Sequence, residues 1–284
     1  MARELRGKAV ADALTEQLIP RANALAEAGA RPKLAILRVG ERDDDLAYER
    51  GALKRCAAVG VEVEQVVLPA DCSQDELMDA IERINADASV HGCLMFRPLP
   101  KTLDEEAACA ALDPAKDVDG ITEGSLYGVF ANRPVGFAPC TAEAVIELLD
   151  HYGCELTGAR VTVVGRSLVI GKPVSMMLQA RNATVTMCHT RTRDLAAECA
   201  KAEVLVVAAG HIGTVGADAA APGQTVIDVG INWDESAGKL AGDVAYDEVE
   251  PIVDAITPVP GGVGSVTTAV LCKHVVEAAE RTVG

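Results

Sequence analysis

The feature that most constrains this chain is a repeated alternation of short, β-rich apolar runs with longer stretches of helical periodicity. Lys33 to Val39 opens after Pro32 and closes at Gly40; Leu46 to Val59 has helical spacing and stops at Gly60; Val61 to Leu68 is strand-like again. Ser73 with Glu76 forms a capping-box pattern for a helix to about Ala86, and His91 to Met95 is a further apolar strand ended by Pro98-Leu99-Pro100. Strands joined by helices in this way lie parallel, so the fold class is α/β. Ahead of the series, Leu14, Leu18, Ala22 and Leu25 recur at near-helical spacing within Ala11 to Ala28, with Pro20 inside the run, where it would kink or split a helix.

Asp113 to Gly120 interrupts the alternation, and Thr141 starts a new helix with Ala144, Val145, Leu148 and Leu149 on one face. A second α/β block follows. Its strands are Arg160 to Val164, Ala183 to Met187, Val204 to Ala209 and Thr225 to Val229, and Arg193 to Ala202 is helical. A last helix, about Thr267 to Arg281, follows a glycine-rich loop and is placed to fold back onto the first block. The 284 residues suit one large domain or two of ordinary size. With 49% apolar residues but only 3% aromatic, the core must be built from Ala, Val, Leu and Ile.

Between the strand at Arg160 to Val164 and the next helix lies Gly165-Arg-Ser-Leu-Val-Ile-Gly171. Strand, glycine turn and helix together aim a helix N-terminus at an anion. Ser167 stands where the second glycine of the usual dinucleotide fingerprint would be, so an ordinary βα turn is the competing reading. Arg166 favours phosphate, because a guanidinium offers both charge and forked donors. The next strand ends at His189-Thr190-Arg191, where an acidic residue would favour NAD; a neutral or basic group there favours NADP, with NAD left open.

The net charge of −16 disfavours a nucleic-acid partner or a membrane surface, since both present anions. Nine cysteines without CxxC spacing point to reduced thiols rather than a disulfide framework or a metal site, and no metal is expected. Met1 to Lys8 lacks the apolar core of a leader peptide, and no run approaches a membrane span, so a cytoplasmic protein is expected.

Five strings are more specific than any of this. They are Asp113-Pro-Ala-Lys-Asp-Val-Asp-Gly120, Pro139-Cys-Thr141, Val163-Val-Gly-Arg-Ser-Leu-Val-Ile-Gly-Lys-Pro173, Val226-Ile-Asp-Val-Gly-Ile-Asn232 and Ile256-Thr-Pro-Val-Pro-Gly-Gly-Val-Gly264. In order and across essentially the whole chain, they resemble the bifunctional methylenetetrahydrofolate dehydrogenase/methenyltetrahydrofolate cyclohydrolase family. The resemblance implies two α/β lobes around a cleft, in a homodimer. Residues 1–140 with 268–284 would form the lobe that binds tetrahydrofolate derivatives, and 141–267 a Rossmann-like, doubly wound nicotinamide lobe. It implies that Tyr48 lines the folate ring and Asp119 accepts hydrogen bonds from the amino-pyrimidine edge, with Pro258, Gly261 and Gly262 against the substrate. Gly165, Arg166, Ser167, Gly171, Thr190, Arg191, Thr141, Gly210 and Ile231 would hold the cofactor. The competing readings are a packed helix tyrosine for Tyr48 and a turn residue for Asp119.

The chain departs from the family at the folate site. The family carries Tyr-x-x-x-Lys, two residues that share a helical face; here the pair is Tyr48 and Ala52. Lys54 lies about 240° around the helix, and Arg55 lies on the face but about two turns from Tyr48. The glutamine that bonds the family lysine is Phe96, so both partners are replaced and neither is left unsatisfied. Asp45 stands where serine is common, and Ser265-Val266 replaces Pro-Met.

Hydride removal from the methylene bridge leaves a cation stabilised by the adjacent nitrogens and requires no side-chain base. Hydrolysis of the methenyl form needs protons to move, a task to which a positioned acid/base group contributes about 10²–10⁴-fold. The sequence therefore predicts a dehydrogenase with weak or lost cyclohydrolase activity. Competing readings are a bifunctional enzyme with a rearranged site, a nicotinamide enzyme for a different pterin, and a silent folate- or nucleotide-binding protein.

Overall fold

The computed structural model describes residues 1–235 and 237–283. In chain order the elements are β1 (Arg3–Glu4), α1 (Gly7–Glu27), β2 (Lys33–Val39), α2 (Asp43–Val59), β3 (Glu62–Leu68), α3 (Gln74–Ala86), β4 (Gly92–Met95), α4 (Glu105–Ala111), α5 (Glu123–Ala131) and α6 (Cys140–His151). There follow β5 (Arg160–Val164), α7 (Gly171–Ala180), β6 (Thr184–Cys188), α8 (Leu195–Ala200), β7 (Val204–Val207), β8 (Thr225–Asp228), β9 (Asn232–Asp234), β10 (Lys239–Ala241), α9 (Tyr246–Val249), β11 (Ala255–Ile256) and α10 (Thr267–Val283). The chain divides into two compact units: Asp12–Cys140 with the segment from Thr268 onward, and Met1–Ala11 with Thr141–Thr267.

The first unit is built on a parallel sheet of order β3-β2-β4. Central β2 is buried on both faces, which is why Leu34 to Leu37 form a continuous apolar run and not an alternation. Ala35, Leu37 and Val39 face a core completed by Leu77, Ile81 and Ile84 of α3 and by Ala108 of α4. The Ser73–Glu76 capping box opens α3, with both reciprocal bonds formed. α10 lies against α2, with Cys272 Sγ 3.6 Å from Cys56 Sγ. The last helix thus belongs to the first unit, and Arg21 of α1 ties to it through two bonds to Glu280.

The second unit is a six-stranded parallel sheet of order β1-β11-β8-β7-β5-β6, with a separate β9–β10 hairpin. The buried faces of β5, β7 and β8 are almost wholly Val, Leu and Ile.

Three departures from the expected elements have a clear physical cause. Residues 1–11, expected in the first lobe, group with the second unit because β1 pairs with β11 (Arg3 with Ala255, Glu4 with Ile256). Pro20 neither splits nor ends α1; it sits on the exposed face, where water can solvate the carbonyl it cannot pair. The helix expected over 193–202 shortens to α8, because Asp194 adopts φ 49° and caps it by accepting from the Ala197 amide.

Candidate functional site

In the first unit the chain leaves β2 through α2 to reach β3 on one side, while β4 lies on the other. The carboxyl ends of β2 and β4 therefore form a topological switch point, the usual ligand crevice of a parallel sheet. The start of α2 follows β2 there, and Phe96 follows β4. Tyr48 of α2 and Phe96 meet edge to face, with ring centroids 5.9 Å apart. One turn along, Ala52 has no exposed surface. Lys54 is exposed, and Arg55 is engaged by Thr15 Oγ1 at 2.7 Å and Asp12 at 3.9 Å.

Beneath this face Arg38 and Glu49 form a buried ion pair (Nε to Oε2, 3.1 Å), and Glu49 also accepts from Gln65. The sequence reading missed this network. Its only signal is Arg38, a charged residue inside the buried part of β2. Asp45 is buried at the start of α2, with Arg42 Nε 3.9 Å away, and burial pushes its carboxyl upward.

The segment after Asp113 runs beside β4: the Cys93 amide donates to the Lys116 carbonyl, and Cys93 bridges Asp117 in parallel. Asp117 is fully buried and accepts from the Ile121 and Thr122 amides at 3.0 and 2.7 Å, fixing the turn into α5. Asp119 keeps part of its surface open, yet the protein atoms around it strip enough water to push its carboxyl up to about 6. The charge of Asp117 adds to that shift, while Arg97, Cys140 and His274 oppose it. Cys140 is buried, its thiol donating to the Val118 carbonyl at 3.2 Å.

In the second unit the switch point lies between β5 and β7. Gly165 takes φ 133°, and a Cβ there would fall 2.2 Å from the Ala208 carbonyl oxygen. A Cβ on Gly171 would fall 2.3 Å from the Gly165 carbonyl oxygen. Both positions therefore exclude a side chain, and the turn closes tightly onto the start of α7. Arg166 and Ser167 are exposed on it, and Ser167 Oγ accepts from the Ile170 amide at 3.1 Å.

β5 and β6 pair with Val164 opposite Cys188, so Thr190 and Arg191, both exposed, follow at the neighbouring strand end. His189 organises that turn. Its Nδ1 accepts from the Arg191 amide at 3.1 Å, and its own amide donates to Thr192 Oγ1 at 2.8 Å.

Two aspartates that the sequence reading did not single out hold the remaining strand ends. Asp243, fully buried, accepts from the Ala209 and Gly210 amides at 2.6 and 2.8 Å, and from Asn232 Nδ2 at 2.8 Å. Asp228 accepts from the amides of Gly230, Asp243 and Val244, each at 3.0 Å. Burial pushes its carboxyl up to about 6 despite those three bonds. Asp228 lies within the Val226 to Asn232 string and was legible there; Asp243 carries no comparable signal.

Beside them is a cavity of about 240 Å³ lined by Asp228 to Ile231, Leu240 and Pro258 to Ser265, which brings Ile231, Pro258, Gly261 and Gly262 together. Thr141 is half-buried at the start of α6. Among the described residues no three His, Cys, Asp or Glu side chains converge as metal ligands, and no helix is long and apolar enough to cross a membrane.

Two family models match the chain: the catalytic domain of tetrahydrofolate dehydrogenase/cyclohydrolase over residues 5–119, and the NAD(P)-binding domain of the same family over 139–283. The chain is 52% identical to the bifunctional protein FolD of Carboxydothermus hydrogenoformans over 281 residues, covering 99% of this chain and 98% of that one. It is 49% identical to the bifunctional protein FolD of Clostridioides difficile, covering 96% and 95%. Among solved structures it is similar to the bifunctional FolD methylenetetrahydrofolate dehydrogenase/cyclohydrolase of Campylobacter jejuni (TM-score 0.95, 34% identity, 99% and 100% covered). It is also similar to the Trypanosoma brucei enzyme complexed with NADP and an inhibitor (TM-score 0.92, 36% identity, 99% and 98% covered). With matched motifs, both family domains and relatives aligned nearly end to end, the chain belongs to the tetrahydrofolate dehydrogenase/cyclohydrolase family.

Proposed function

We propose that this protein oxidises 5,10-methylenetetrahydrofolate to 5,10-methenyltetrahydrofolate with NADP, and that its cyclohydrolase activity is weak or lost. The observation that carries the second half is the apolar pairing at position 52. Ala52 is fully buried, Phe96 stands edge-on to Tyr48, and the basic side chains that follow Ala52 on α2 are exposed (Lys54) or engaged elsewhere (Arg55). Water addition and ring opening then lack a proton carrier at the helix face where a family lysine would stand. Hydride removal requires positioning alone.

In this reading Tyr48 orients the folate ring, and Asp119 accepts hydrogen bonds from its amino-pyrimidine edge, a donor-rich face suited to a carboxylate. Pro258, Gly261 and Gly262 bring backbone close to the substrate.

The glycine turn fits a dinucleotide, because neither Gly165 nor Gly171 has room for a side chain and the α7 start is left open to a phosphate. Arg166 and Ser167 would hold the pyrophosphate. Thr190 and Arg191 would meet the adenosine ribose and its 2′-phosphate, which selects NADP over NAD. Thr141, Gly210 and Ile231 would flank the nicotinamide. When bound, NADP supplies the hydride acceptor. The Trypanosoma brucei relative with NADP supports the choice. Family membership also supports a homodimer of 29.6 kDa chains, working in the cytoplasm.

The experiment restores the missing pair. Wild-type protein is expected to reduce NADP with methylenetetrahydrofolate and to leave methenyltetrahydrofolate hydrolysis near its spontaneous rate. The double variant Ala52→Lys/Phe96→Gln should raise hydrolysis about 10²-fold, with either single change doing little. Wild-type hydrolysis far above the spontaneous rate would overturn the reading.

A further inference from the structure

We propose that Asp45 is the counter-charge for the substrate at the ends of β2 and β4, so that this face of the first unit selects a cationic folate over a neutral one. The inference rests on the folate reading of that crevice given above.

Asp45 is 8% exposed, yet among the described residues its carboxylate accepts no hydrogen bond. The bond at this position runs the other way: the Asp45 amide donates to Asp44 Oδ1. The two nearby guanidinium groups are committed. Arg42 donates to both carboxylate oxygens of Asp44 and to the Pro98 carbonyl, and Arg38 donates to Glu49 and the Gly40 carbonyl. Two cations thus face three carboxylates, and Asp45 is the one in excess. The ion pair that Asp45 does make is long, 3.9 Å to an Arg42 guanidinium already bonded to Asp44; a buried carboxylate so weakly paired is costly, and a ligand that brings positive charge relieves the cost.

Position matters as much as charge. Asp45 precedes Tyr48 by three residues and Ala52 by seven, spacings that share one helical face. With alanine at 52, no ammonium on that face opposes a positive substrate. In the proposed reaction a C–H bond of the methylene bridge breaks and both electrons leave as hydride for the oxidised nicotinamide. The carbon remains as the methenyl cation, and no proton is released. A carboxylate facing that charge lowers the energy of the product and of the transition state leading to it, without itself exchanging a proton.

The test is ligand binding by the full-length protein without cofactor. Methenyltetrahydrofolate, a cation at the bridge, is compared with tetrahydrofolate, which is neutral there, by rapid mixing before spontaneous hydrolysis intervenes. Asp45→Asn should weaken the cation about tenfold and leave the neutral ligand within about twofold. Asp45→Glu, which keeps the charge, should retain the preference. So should Asp43→Asn, which removes an exposed charge from the same helical turn. Equal weakening of both ligands by Asp45→Asn, or no change in either, would overturn the proposal. Wild-type protein that prefers the cation but reduces no NADP would contradict the proposed oxidation and uphold the role of Asp45.

Discussion

Asp117 and Asp119 stand two residues apart and are put to opposite uses. Asp117 is consumed by the fold, its two oxygens taken by the Ile121 and Thr122 amides. Asp119 stays partly open, and its carboxyl is pushed up to about 6 by lost solvation and by the charge of Asp117. Its native value lies above the ordinary 3.8, so the folded protein binds this proton more tightly than the unfolded chain. Ionising it costs stability above pH about 6, and that cost is progressively relieved as the pH falls through 6 toward 3.8. Folate affinity should move the other way, because only the carboxylate accepts two hydrogen bonds. Titrating the folate Kd against pH should therefore show weakening below about 6. Asp119→Asn should bind folate about 10–100-fold more weakly at neutral pH and lose that pH step; an unchanged step would remove Asp119 from the pterin edge. At this scale the motif string singles out Asp119 as the candidate, but not the turn that Asp117 fixes, since that turn is set beside Cys93 of a strand more than twenty residues away in sequence.

Elements with strong periodicity were legible, and those whose boundaries depend on partners were not. The β2-to-β4 series and the α3 cap could be read locally, since each reports its own spacing. α4 and α5 were missed because they are short and flank the break at Asp113. β1 and β11 are two residues each and exist only by pairing with one another and with β8. The turn into α7 could be read from its glycines, but their cause is steric: each would drive a Cβ into a carbonyl. Gly171→Ala should therefore raise the NADP Kd at least tenfold through a displaced turn, while the folate Kd stays within about twofold, a split that isothermal titration can measure. Asp117→Ala, by contrast, leaves two amides without their acceptor. It should cost about 3 kcal/mol in urea unfolding of the unit that carries Asp119. A loss below about 1 kcal/mol would mean that water or another acceptor replaces the carboxylate.

The whole molecule is made of two units, each with a parallel sheet and its own switch point. The departures at positions 45, 52 and 96 fall in the first unit and that at Ser265-Val266 in the second, while the string around the glycine turn at 163–173 is intact. A chain at −16 does not draw an anionic folate or dinucleotide from a distance, so both must be held by nearby donors. The most direct measurement supplies methylenetetrahydrofolate and NADP to the wild-type protein and follows NADPH, methenyltetrahydrofolate and 10-formyltetrahydrofolate together. Methenyltetrahydrofolate should accumulate mole for mole with NADPH and decay only at its spontaneous rate. NADPH formed with 10-formyltetrahydrofolate as the immediate folate product would contradict it.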